Sequence, residues 1–169
     1  FRLPPACWGD LLAGRSIYIF MRASWIELTA ADGHRFPAYL GKPTNAMRGG
    51  LVVLPEIFGV NAHMRATVER YAGMGFIALA PATFERVRAG VDLSYGSADK
   101  RSGMGLKAAV EALPPPGVQQ DIQAAVDHLA AREGVRVGVL GFFWGGLLSW
   151  RAASLVDGLA AGWSTTVAA

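Results

Sequence analysis

The sequence predicts an α/β domain: a mostly parallel sheet with helices on both faces, opening with an antiparallel hairpin. Three observations carry this reading. Short apolar runs at 51–54, 76–80 and 135–140 have the length and continuity of strands covered on both faces. Between them, Met64, Val68, Tyr71 and Ala72, and later Val118, Ile122, Ala125, Val126 and Leu129, recur at helical spacing. Finally, the stretch 135–150, VRVGVLGFFWGGLLSW, reads as a strand that passes through a glycine-tight turn directly into a helix.

Taken in order, residues 1–20 show neither helical nor strand periodicity, and a regular pattern begins at Met21. We therefore read 1–22 as an N-terminal extension and 23–169 as one domain, with Met21 as its natural start. Residues 25–28 and 36–40 form a hairpin around the Asp32-Gly33 turn. The run 51–54 is the next strand and ends at Pro55-Glu56-Ile57-Phe58-Gly59. Asn61 is a good helix N-cap, Gly73 and Gly75 stop that helix, and 76–80 completes a strand–helix–strand unit of parallel type. Residues 83–103 are polar and irregular, and we expect a long loop there, of the kind that covers a site. After Pro114 to Pro116 the helix over 118–129 runs to Gly134 and feeds the strand of the third observation.

Composition narrows the function. A chain of 169 residues, 52% hydrophobic with 21 glycines, fits one globular domain with a real core. The net charge of +3 comes from dispersed Lys and Arg with no basic run, so nothing points to nucleic acid. One cysteine, Cys7, excludes an internal disulfide and a paired-thiol metal site, which makes the cytoplasm the expected compartment. The longest apolar stretch, 137–150, is shorter than the roughly 20 residues that a membrane span needs.

The turn itself has the form G-x-X-x-G, with Gly141, Gly145 and Gly146 around Phe142, Phe143 and Trp144. In a nucleophile elbow such glycines let a strained residue X project its side chain from the top of the sheet. Glycines between a strand and a helix also serve as packing devices in any α/β domain. A dinucleotide fingerprint would need glycine at position 143, and a P-loop would need Lys followed by Ser or Thr, so both are set aside.

The segment LPEIFGVNAHMRATVERYAGMGFIALAPATFER, with GVQQDIQAAVDHL and VGVLGFFWGG after it, resembles the dienelactone hydrolase (carboxymethylenebutenolidase) family of the α/β-hydrolase fold. The likeness runs from about Trp25 to Ala161 and follows the family's order and spacing. It implies hydrolysis of lactone or ester bonds by a Cys-His-Asp triad, with no metal or organic cofactor and a small-molecule substrate. It also implies that the nucleophile position is Phe143 and that Glu56 is the glutamate beside the resting thiol. The oxyanion hole would be the backbone N–H groups of Ile57 and Trp144, and Arg101 would help to hold a substrate carboxylate. The family's Asp and His follow its elbow helix, and His34, His63 and His128 are not substitutes for them.

We therefore expect a truncated α/β-hydrolase fold, C-terminally incomplete, with impaired catalysis. The elbow strand should expose an apolar free edge that invites non-native self-association. The Phe143 ring should occupy the space of the scissile carbonyl. A one-base shift of reading frame at Trp163 converts suitable codons for WSTTVA into Val-Val-Tyr-Tyr-Gly-Gly, closer to the family's pattern, and one base separates Cys from Phe codons. The alternative is a non-catalytic binding module that kept the scaffold.

Overall fold

The computed structural model describes residues 22–165, with side chains described from 23 to 162. The extension read at 1–22, apart from Arg22, and Cys7 lie outside the described residues. The strands are β1 (Arg22–Thr29), β2 (Arg35–Lys42), β3 (Gly49–Leu54), β4 (Phe76–Pro81), β5 (Val137–Phe142) and β6 (Leu159–Thr165). The helices are α1 (Ala62–Gly73), α2 (Ser97–Glu111), α3 (Val118–Glu133) and α4 (Trp144–Leu155).

β1 and β2 form the expected hairpin, in which Gly33 supplies a φ of +84° and Asp32 Oδ1 accepts from the N–H of His34. All six strands form one sheet in the order β1-β2-β4-β3-β5-β6. β2 is antiparallel to both β1 and β4, and the β4-β3-β5-β6 half is parallel. This is a mixed α/β sheet with its first two strands antiparallel to each other.

The alternation of side chains along the central strands gives the sheet two apolar faces, and each must be covered. On one face Val53, Ala78 and Ala80 pack with Met64 and Val68 of α1. On the other, Val52, Leu54 and Val139 pack with Ile122, Val126 and Leu129 of α3 and with Leu148 and Ala152 of α4. Asn61 caps α1 as its sequence suggests, accepting from the N–H of Met64 at 3.1 Å.

Two expectations are corrected. The stretch 83–103 is not one long loop, because α2 begins at Ser97. Its sequence hides the helix: Gly103 and Gly105 each cost about 1 kcal/mol relative to Ala, and of its 15 residues only Gly103 and Val110 are buried. Its apolar contact with the core is confined to Leu106 and Val110, one turn apart. Likewise, the elbow strand β5 has no free edge, since β6 pairs with it over its whole length and becomes the outer strand.

Arg86 clamps the hairpin turn to α3. Its guanidinium donates twice to Asp121, at 2.7 and 2.9 Å, and twice to Asp32, at 2.6 and 3.2 Å. The Asp121 side chain is fully buried. Burial pushes that carboxyl up and the guanidinium opposes it, whereas Asp32 is held down to about 2, chiefly by its hydrogen bonds from Arg86.

Arg86→Ala leaves the Asp121 charge buried and unpaired, and chemical denaturation should show a loss of about 3–5 kcal/mol. Asp32 behaves differently with pH. Its folded pKa lies below the ordinary carboxylate value of about 4, so its stabilisation is complete above that value and disappears as the pH falls towards 2. The stability difference between the unaltered chain and Asp32→Asn, followed by urea unfolding from pH 6 downwards, should therefore be constant to about pH 5 and then shrink.

Candidate active site

The strand order reverses at β3: β4 lies on one side of it and β5 on the other. In open α/β sheets such a reversal leaves a crevice beyond the carboxyl ends of the two flanking strands, because the connections leave in opposite directions. Two segments enter this crevice: the loop after Leu54, and the turn after Phe142.

Backbone contact fixes how these segments meet. A Cβ on Gly141 would stand 1.9 Å from the carbonyl oxygen of Gly145, and a Cβ on Gly145 would stand 2.4 Å from that of Leu54. Neither position accepts a side chain without displacing main chain. Between them Phe143 adopts φ 49° and ψ −110°, and it is the only non-glycine residue with positive φ among the described residues. Such a conformation costs about 1–3 kcal/mol and persists only where surrounding structure dictates it. The glycines around 143 thus form a true elbow.

Beyond the elbow lies a cavity of about 600 Å³. Glu56, Ile57 and Phe58 line it from the first segment, and Phe143, Trp144 and Leu147 from the second. α2 contributes Lys100, Met104 and Lys107 at positions i, i+4 and i+7, one helical face. That face is brought close by Gly103, where a Cβ would meet the Ile57 carbonyl oxygen at 2.3 Å. Trp144 is buried, stacked on Phe84 with ring centroids 4.9 Å apart, and its Nε1 donates to Glu111 at 3.2 Å.

Glu56 does not stand alone. Its Oε2 accepts from the hydroxyl of Tyr95 at 3.1 Å, and the Tyr95 ring rests on Phe58 with centroids 4.5 Å apart. Burial, followed by the charge of Glu56, pushes the Tyr95 hydroxyl above its ordinary value. Tyr95 is absent from the sequence reading; an aromatic residue in an otherwise polar stretch was the available signal.

Glu56, Ile57, Phe143 and Trp144, four of the five residues singled out by sequence, meet at this one cavity. Arg101 does not line it; the helical turn of α2 presents Lys100 and Lys107 instead. Arg86 is committed to Asp32 and Asp121. The Phe143 ring does not fill the crevice either, for it is 53% exposed and stands in the wall of a space that remains open. None of His34, His63 and His128 lines the cavity. His34 stacks on Phe36, His63 meets the edge of Tyr95, and burial pushes His128 down. Among the described residues no group of three or more His, Cys, Asp or Glu is placed to hold a metal ion.

The family model for the dienelactone hydrolases matches residues 36–164, which span the sheet from β2 to β6 and the whole elbow. The chain belongs to the dienelactone hydrolase family. Carboxymethylenebutenolidase 1 of Cupriavidus pinatubonensis is 33% identical over 141 residues, 81% of this chain and 59% of that protein. The carboxymethylenebutenolidase of Pseudomonas putida is 30% identical over 136 residues, 79% of this chain and 57% of its own length. Among solved structures, a Klebsiella pneumoniae protein assigned to the dienelactone hydrolases superposes with a TM-score of 0.63 at 28% identity, covering 86% of this chain and 62% of that one. This dienelactone hydrolase domain thus spans about three fifths of the length of the relatives it matches. No helix among its described residues is long and apolar enough to cross a membrane.

The elbow geometry makes opposite predictions for neighbouring positions. Phe143→Gly relieves the strain at positive φ and loses little packing, so thermal melting should show a gain of about 1 kcal/mol after the entropic cost of glycine. Gly145→Ala forces its methyl group against the Leu54 and Pro55 carbonyls and should cost about 1–3 kcal/mol in the same measurement.

Proposed function

We propose that the cavity is the acyl-transfer site of an ester or lactone hydrolase, working in the cytoplasm, and that the chain as it stands does not turn over substrate. The observation that carries this is the strained elbow with Phe143 at its tip, facing Glu56 across a cavity flanked by Ile57 and Trp144.

The intact chemistry needs a thiolate at position 143 to attack the carbonyl carbon. The developing oxyanion would be held by the backbone N–H groups of Ile57 and Trp144, and the alkoxide would then leave to give a thioester. Backbone donors survive any change of side chain. The nucleophile does not: phenylalanine has no atom that can form an acyl bond, and loss of a nucleophile costs a factor of roughly 10⁶ in kcat in a well-studied serine protease. Glu56, held by Tyr95, is the carboxylate that would face the thiol. Lys100 and Lys107 take the role that the sequence suggested for Arg101, attracting a substrate carboxylate to an apolar pocket.

The open cavity also fits the second reading, a binding module that has kept the scaffold. One experiment separates the two. p-Nitrophenyl acetate should be hydrolysed by the unaltered chain no faster than in buffer. In a Cys7→Ser background, Phe143→Cys should be acylated once, read by mass spectrometry as a single acetyl adduct on residue 143. Turnover by the unaltered chain would refute its inactivity. A residue-143 thiol no more reactive than a free thiol would remove the acyl-transfer reading and leave the binding module.

A further inference from the structure

Within the elbow turn, residues 143–146, one side chain is anchored in the protein. Phe143 is exposed, Gly145 and Gly146 have no side chain, and Trp144 is buried. The Trp144 indole is therefore the side-chain restraint on the residue whose N–H the proposed acyl transfer assigns to the oxyanion.

Two contacts orient that indole. Phe84 stacks on its face, with ring planes 9° apart, and parallel rings held by dispersion can slide over one another at little cost. Within the ring plane the place is set by Nε1, which donates to Glu111 Oε1 at 3.2 Å, a directional and charge-assisted bond.

Glu111 has a second neighbour. Its Oε2 lies 3.7 Å from Lys107 Nζ, an (i, i+4) pair on α2 within reach of Coulomb attraction but too far apart for a hydrogen bond. Lys107 lines the cavity, whereas Glu111 stands outside it, in the wall of the groove between α2, α3 and α4. One carboxylate thus joins a cation of the cavity to the first residue of α4.

From this juxtaposition we infer that Glu111 is a positioning residue, which couples capture of a substrate carboxylate by Lys107 to the place of the Trp144 N–H at the elbow. The inference rests on the acyl-transfer reading of the cavity. A carboxylate that can reach hydrogen-bond distance is a better partner for the ammonium than one held 3.7 Å away, so it draws Lys107 off Glu111. Glu111 then gives its charge undivided to the indole N–H. That bond shortens, and Trp144 is held more firmly while substrate is bound. Glu111 also competes with the ligand for Lys107, so the residue that sharpens the site weakens its hold on the anion. A side chain that merely supported the fold would do neither.

The binding half of the test uses the unaltered 169-residue chain, with hexanoate as probe and hexanol as its uncharged counterpart, read by proton–nitrogen NMR of the indole groups. Trp144→Phe identifies the Trp144 signal. Hexanoate should move its N–H proton downfield, as a shortened hydrogen bond does, and hexanol should not. Lys100→Met leaves Lys107 as the one cation lining the cavity and should keep the movement, while Lys107→Met should abolish it. Arg101→Met, outside the cavity lining, should leave it unchanged. In Glu111→Gln hexanoate should bind about threefold more tightly, the effect of removing one partly exposed competing charge, and the downfield movement should be lost. The kinetic half uses Phe143→Cys in the Cys7→Ser background with the mono-p-nitrophenyl ester of glutaric acid. The thiolate sulfur bonds to the acyl carbon and p-nitrophenolate leaves. Adding Glu111→Gln should lower the half-saturating concentration and slow the saturated rate about tenfold, as a misplaced reacting group does. Failure of Phe143→Cys to acylate would remove the acyl-transfer reading alone, because the NMR half involves no chemistry. Four outcomes would overturn the coupling: no hexanoate binding, an unmoved Trp144 signal at saturation, the same movement in Glu111→Gln, or a saturated rate that Glu111→Gln leaves unchanged.

Discussion

The structure depends on a backbone contact: the turn after β5 is pressed against the end of β3 so closely that neither Gly141 nor Gly145 has room for a methyl group. This contact has two consequences. It holds residue 143 at positive φ whatever its side chain, and it fixes the distance between the Ile57 loop and the first turn of α4. The strain is carried by the packing of two parallel strands with helices on both faces, which is why a phenylalanine can occupy a conformation that it does not favour.

Around this contact the rest of the molecule acts as support. α2 reaches the site through Gly103, laid on the Ile57 carbonyl, and so presents Lys100 and Lys107 to the cavity. Phe84 and Glu111 hold the Trp144 indole from two sides. Arg86, two residues after Phe84, ties that segment to the hairpin and to α3. The elbow and the cavity beside it are therefore held as one piece of geometry, and the residue at the elbow's tip, Phe143, carries no nucleophilic atom.

Legibility followed burial. The central strands were readable because an unbroken run such as Leu51, Val52, Val53 and Leu54 is stable only where both faces are covered. α1 and α3 were readable because each buries one stripe. α2 was not, since its contact with the core is made mainly by a glycine and a valine, and glycine reads as a breaker. The same limit applied to the site. Glu56, Ile57, Phe143 and Trp144 sit in motifs with fixed spacing, whereas Tyr95, Lys100 and Lys107 owe their place to how a polar segment folds back.

By itself the sequence determined the α/β class, the hairpin, the family and the presence of an elbow with an inert residue at its tip, because each rests on local periodicity or on glycines whose spacing is short. Tertiary structure decided which cations face the cavity, that the Phe143 ring leaves the cavity open, and that β6 rather than β5 bounds the sheet. Those outcomes depend on the direction in which side chains project and on which strand pairs with which. Both are set by contacts between residues far apart in the chain, and no local pattern encodes them.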